Sequence, residues 1–135
     1  MAEGSASSGV GGVEQVLEDL RALSEEVTTV AVLSGDGELR ASTLLPGVDR
    51  DRHATMLVAL AGLAARVARE NGGSRFSRVR IKEEGGYVLL LGLEGGGTFA
   101  VTTTPNARIG LIFYDMRNAQ RELERMLGSE EGGRR

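Results

Sequence analysis

Between Asp51 and Asn71 the chain reads DRHATMLVALAGLAARVAREN, a helix-length stretch with almost no polar side. At 3.6 residues per turn, Arg52, Thr55, Gly62, Arg66 and Arg69 fall on one narrow polar or bare stripe. Met56, Leu57, Val58, Leu60, Leu63, Ala64, Val67 and Ala68 cover the remainder. A surface helix ordinarily carries an apolar arc of roughly 100° or somewhat more, and this arc is far wider. Such a helix must be covered on two sides. Its own sheet can supply one cover; the other is expected to be a second protein.

The flanking elements follow from periodicity and turn chemistry. Val13, Val16, Leu17, Leu20 and Leu23 recur at helical spacing, predicting a helix over Val13 to Glu26 with an acidic outer face. Thr28 to Leu33 is β-branched and apolar, and Ser34-Gly35-Asp36-Gly37 is a hairpin turn into a more polar strand over Glu38 to Leu44. Pro46-Gly47 breaks the chain, Asp49 or Asp51 can cap the long helix, and Asn71-Gly72-Gly73 ends it. Arg75 to Lys82 alternates, Val79 and Ile81 on one face and Arg78, Arg80 and Lys82 on the other. Tyr87 to Leu93 is apolar on both faces and requires cover on both. Thr98 to Thr103 is the last strand, and Ala107 to Leu127 closes the chain as an amphipathic helix. The expected class is α/β (α+β): one domain in the order α-β-β-α-β-β-β-α, a five-stranded, mostly antiparallel sheet with helices on both faces. The domain is expected over 13–127, with a flexible leader at 1–12 and a flexible tail at 128–135.

Composition removes several classes of function. The chain of 135 residues has no cysteine, which excludes disulfides and thiolate metal sites and points to a cytoplasmic location. A formal charge of -3 gives no reason to expect nucleic acid or an anionic membrane as the main partner. No apolar run reaches the roughly 18 residues of a transmembrane span.

Catalytic chemistry has little to work with. His53 is the single histidine, so one subunit cannot build a two-histidine metal site. A pH switch or an interfacial hydrogen bond is conceivable at His53, and a structural role is the plainer reading. Gly85-Gly86 and Gly95-Gly96-Gly97 lie between strands and lack the phosphate-loop pattern, so they read as turns. Glu25-Glu26, Glu83-Glu84 and Glu130-Glu131 are neighbours in sequence on solvated ends rather than pairs converging on a pocket. Arg75, Arg78, Arg80 and Lys82 make a local basic stretch, with Phe76 alone too little aromatic surface for base stacking. No cofactor, no metal and no enzymatic activity are expected.

Val30-Ala31-Val32-Leu33-Ser34 leading into Asp36-Gly37, the Ala-Leu-rich helix from Ala54 to Ala68, and Pro105-Asn106-Ala107-Arg108-Ile109-Gly110-Leu111 before a last amphipathic helix occur in a telling order. Over Val13 to Leu127 the chain resembles the roadblock/dynein-light-chain domain family, a roadblock, profilin-like fold, and within it the bacterial MglB-like branch. Val27-Thr28-Thr29 lacks the Gly often found before the family's first strand, and Arg108 stands where a small amide is common. The resemblance implies a small homodimeric module that regulates or anchors partners, notably Ras-like small GTPases, and that can act as a GTPase-activating protein. It implies pairing of the strand Arg75 to Lys82 and packing of the long helices across the dimer. The expected dimer-interface residues are Met56, Leu60, Ala61, Leu63, Ala64, Phe76, Arg78 and Arg80. The expected partner-binding residues are Arg52, Thr55, Ala59, Gly62 and Arg66. The alternative is a small-molecule-sensing or structural assembly subunit of a signalling or motility complex.

Overall fold

The computed structural model describes residues 10–44 and 47–133. Helix α1 (Val10–Leu23) precedes strands β1 (Val27–Leu33) and β2 (Leu39–Thr43). The long helix α2 (Arg50–Glu70) follows, then β3 (Arg78–Glu83), β4 (Gly86–Gly92), β5 (Thr98–Thr103) and α3 (Ile109–Gly133). The strands form one sheet in the order β2-β1-β5-β4-β3. Every pairing is antiparallel, so the expected "mostly antiparallel" sheet is wholly so among the described residues.

Strand alternation sorts the sheet into two unequal faces. Val30, Val32, Leu89, Leu91, Phe99 and Val101 point toward α1 and α3, where they meet Leu17, Leu20, Ile112, Met116 and Leu123. That cluster holds eighteen buried apolar residues. The opposite face meets α2 alone, and its cluster holds six: Ala31, Leu33, Leu57, Val88, Leu90 and Ala100. The main core therefore lies under α1 and α3, and α2 is thinly anchored. β4 lies between β5 and the edge strand β3 and is buried along its whole length, as its two-faced apolar pattern required.

Local chemistry sets the element ends. The Asp49 carboxylate accepts the backbone N–H groups of Asp51 and Arg52 at 3.0 and 3.2 Å, capping α2. At its other end Gly73 donates to the Ala68 carbonyl at 2.8 Å, with Gly72 in the left-handed region at φ +88°. Helix α1 starts at Val10, inside the expected leader, and stops at Leu23 rather than Glu26. It stops there because the Ser24 hydroxyl takes the Glu26 N–H, favouring a turn over another helical residue. Residues 1–9 of the expected leader lie outside the described residues. Helix α3 continues to Gly133, beyond the expected bound at Leu127. Gly128 lacks a positive φ there, no proline intervenes, and Glu130 and Glu131 are good helix formers.

Glycines allow the sheet's closest approaches. A β-carbon on Gly92 would lie 2.1 Å from the Phe76 carbonyl oxygen. Only glycine lets the segment leading into β3 lie this close to β4, and the Gly92 N–H donates to the Ser77 carbonyl at 2.9 Å. This contact is also why β3 begins at Arg78 instead of Arg75: the residues before it are held by Gly92 rather than by a regular ladder. It fixes Phe76 beside the long helix.

Candidate functional site

The site is assembled from one flank of α2 and the neighbouring edge strand. Leu60, Leu63 and Val67 follow at spacings of three and four, so they share one flank of the helix. The side of β3 facing α2 presents Val79 and Ile81, with Phe76 just before the strand. Between them runs an open groove of about 410 Å³ lined by Leu60, Leu63, Ala64, Val67, Phe76, Val79 and Ile81, among others. Leu63 is 60% exposed, Val67 54% and Met56 37%. β3 ends the sheet, so its outer backbone N–H and C=O groups have no strand partner among the described residues. Large apolar side chains in water beside an open sheet edge are the features expected of a docking surface.

The structure separates the expected interface residues into three groups. Leu60, Leu63 and Phe76 line the groove, and Met56, four residues before Leu60, lies on the same flank of α2. Ala61 packs on the α2-side core, and Ala64, 9% exposed, forms the groove's inner wall where helix meets sheet. Their small size lets the helix lie close to its own sheet. Arg78 and Arg80 extend to the other side of β3, where their guanidinium carbons stand 4.7 Å from the Phe113 ring centroid and 5.4 Å from that of Tyr87. Arg52, Thr55, Ala59, Gly62 and Arg66 are all exposed along the outward surface of α2. Val67, Val79 and Ile81 complete the groove but were not among the expected interface residues. The signal for them was present in the four-residue step from Leu63 to Val67 and in the alternation of β3.

The polar groups nearby serve the fold. The Arg66 Nε donates to Glu70 Oε2 at 3.1 Å, an exposed pair of the kind worth a few tenths of a kcal/mol. His53 Nε2 is hydrogen-bonded to Thr29 Oγ1 at 3.0 Å. Thr29 Oγ1 in turn lies 2.6 Å from Thr102 Oγ1, which meets Thr28 Oγ1 at 2.7 Å. The irregularity between Val27 and Thr29 in the β1–β5 register lets two successive threonines reach the same hydroxyl. Burial lowers the His53 pKa below its ordinary value of 6.5. Glu26 is not simply solvated, as was expected: it accepts the Arg108 N–H at 2.9 Å and pairs with Arg108 Nε at 3.3 Å. It thereby ties the start of α3 to the start of β1. Among the described residues no group of three or more His, Cys, Asp or Glu side chains could hold a metal ion. No helix among them is long and apolar enough to cross a membrane.

The fold is that of a known set of proteins. MglB of Myxococcus xanthus superposes with a TM-score of 0.80 at 15% identity, covering 89% of this chain and 90% of that one. The gliding protein MglB of Thermus thermophilus gives 0.74 at 16% identity, covering 87% and 90%. A Roadblock/LC7 domain from Streptomyces avermitilis gives 0.71 at 20% identity, covering 84% and 96%. No curated protein gives a significant match by sequence. The family model for the Roadblock/LC7 domain, however, matches residues 13–103, from the first helix through the last strand. With the α-β-β-α-β-β-β-α order, the antiparallel five-stranded sheet and that match in agreement, the chain belongs to the Roadblock/LC7 domain family.

Proposed function

We propose that the protein is a non-enzymatic homodimeric regulator or scaffold for a Ras-like small GTPase, in the manner of MglB. The observation that carries the reading is the exposed flank Met56, Leu63 and Val67 beside the open edge of β3. Antiparallel pairing of two β3 strands about a two-fold axis would satisfy both edges and bring two copies of the flank together. The buried area would be of the order of 800 Å² per subunit. Likeness to MglB, and the resemblance carried by the sequence itself, support a GTPase as the further partner.

In the dimer the two α2 helices make one platform, and Arg52, Thr55, Ala59, Gly62 and Arg66 are its outward contacts. Stimulation of hydrolysis then works through the GTPase's own residues. The platform binds one switch conformation more tightly than the other and raises its population. The competing mechanism, an arginine inserted in trans, would accelerate hydrolysis by up to about 10³–10⁵.

The test is light scattering after size-exclusion chromatography, on the protein alone and with its organism's Ras-like GTPase loaded with GDP or a non-hydrolysable GTP analogue. The expected result is a dimer that retains the GTP-like form. A monomer, or equal indifference to both forms, overturns the proposal. If Arg52→Ala with Arg66→Ala abolished stimulation while leaving binding intact, the indirect mechanism would be wrong.

A further inference from the structure

The other side of β3 carries a second, chemically opposite groove. It has a volume of about 490 Å³ and is lined by Arg78, Arg80, Ile109, Gly110, Phe113, Tyr114 and Arg117. Three arginines line it and no acidic side chain does. Lys82 extends the same row along β3 and stands 5.8 Å from the Tyr87 ring centroid. Among the described residues no carboxylate forms a salt bridge with Arg78, Arg80, Lys82 or Arg117. The full chain carries 19 acidic residues against 16 lysines and arginines, so an acid-free cluster of cations runs against its composition. Like charges held together without counter-charges destabilise the fold unless something else offsets them.

The guanidinium groups are also held in place. Arg78 lies over Phe113 and Arg80 over Tyr87, so each guanidinium carbon rests against an aromatic ring that restrains it, and no carboxylate among the described residues takes up its N–H groups in a salt bridge. Successive same-face positions on a strand are about 7 Å apart. Two long arginines at that spacing can grip one phosphate from both sides or take two adjoining phosphates. Arg117 closes the groove from α3, and Tyr114, 63% exposed, forms its outer rim.

We infer that this groove is an oxyanion site that takes a small phosphate-bearing ligand, held by Arg78, Arg80 and Arg117. Arginine suits this role because its planar fork matches phosphate oxygens two at a time. These side chains lie on the side of the sheet away from α2, and the proposed pairing of two β3 strands would set the Arg78 and Arg80 of both copies side by side and enlarge the cationic site.

Isothermal titration calorimetry of the full chain with inorganic pyrophosphate, alongside inorganic phosphate and a short poly-glutamate peptide, tests it. Saturable pyrophosphate binding with a Kd below about 1 mM is expected, weakening as salt rises from about 50 to about 500 mM because screening acts on exposed charges. Arg78→Ala, Arg80→Ala and Arg117→Ala should each weaken it by about tenfold or more, and Arg78→Lys should restore only part of the loss. Arg121→Ala, on α3 outside the groove, should change it by less than about twofold. Melting curves for each variant separate a lost contact from a lost fold, and Arg117→Ala removes an exposed side chain that no ring supports. Non-saturable heats, or equal losses in Arg121→Ala, overturn the inference. Binding of the poly-glutamate peptide with none of pyrophosphate also overturns it and assigns the groove to an acidic protein surface.

Discussion

Replacing Leu63 with alanine tests the docking flank with least disturbance to the fold. Leu63 leaves 60% of its surface in water. Complete burial of a leucine side chain contributes about 2 kcal/mol, so covering the exposed fraction contributes about 1.2 kcal/mol in each copy. Two-fold symmetry places the same residue in both halves and doubles the effect. Alanine retains the β-carbon, which reduces the expected loss to about 2 kcal/mol, or a dimer dissociation constant raised about thirtyfold. Within one subunit the change touches a side chain mostly in water, so folding stability should move by less than about 0.5 kcal/mol. Leu57→Ala is the counterpart: at 0% exposure, its loss should cost about 2–5 kcal/mol of folding stability and act on the core of the α2 face. Sedimentation velocity over a concentration series gives the dimer constant, and urea unfolding gives the stability. A Leu63→Ala dimer as tight as wild type would refute the reasoning, as would an unaltered dimer constant accompanied by a large loss of folding stability.

Three further outcomes follow from the fold. His53 has a lowered folded-state pKa because burial disfavours its charged form, so the unfolded chain binds the proton more readily. The associated stability is fully present above about pH 6.5 and is lost as pH falls toward the folded pKa; urea midpoints from about pH 8 to about pH 5 should show that slope, and His53→Gln should flatten it. Gly86→Ala should destabilise the domain by more than about 2 kcal/mol, because its φ is +144° and the new β-carbon would lie 1.8 Å from the Thr103 carbonyl oxygen. At Gly85 the nearest atoms belong to the flexible Glu83 side chain at 3.2 Å, so the same substitution there should cost less than about 1 kcal/mol by thermal melting. Asp49→Ala removes the carboxylate that caps α2 and should lower stability by about 1 kcal/mol, measured the same way.

Element order and type were legible because each element has a distinct period. β4 declared itself by being apolar on both faces, α2 by its unusually wide apolar arc, and the turns by Gly and Asp. Ends were less legible where a side chain competes with the backbone. Ser24 stops α1 early through its hydroxyl, and Gly92 delays β3 by drawing the Phe76–Ser77 segment close. The site was half legible. Periodicity marked α2 as a helix needing two covers, but which small residues face the sheet depends on how the helix is rotated upon it. Ala61 and Ala64 were expected in the interface on small size alone; Ala61 packs on the α2-side core, and Ala64 lies at the inner wall of the groove. The stacking of Arg78 on Phe113 joins residues far apart in the chain and left no local trace in the sequence.

The two sides of β3 explain how an exposed edge strand can serve association without inviting unlimited growth. An open edge beside apolar side chains is ordinarily an aggregation hazard, because any strand can add to it. Here Val79 and Ile81 face the α2 flank while Arg78, Arg80 and Lys82 face the other way. An arriving strand gains apolar contact only if it brings a flank like that of α2, which a second copy of this chain does. Once two β3 strands pair about a two-fold axis, both open edges are used. The sheet's other edge, β2, is only five residues long, and its Ala41 is packed into the core cluster that α1 shares. Two-fold pairing through β3, as proposed, would use the β3 edge in both copies and close at two subunits. In the proposed dimer the two α2 helices would share one side of the sheet and the two arginine grooves the other, so that occupancy of one face need not obstruct the other.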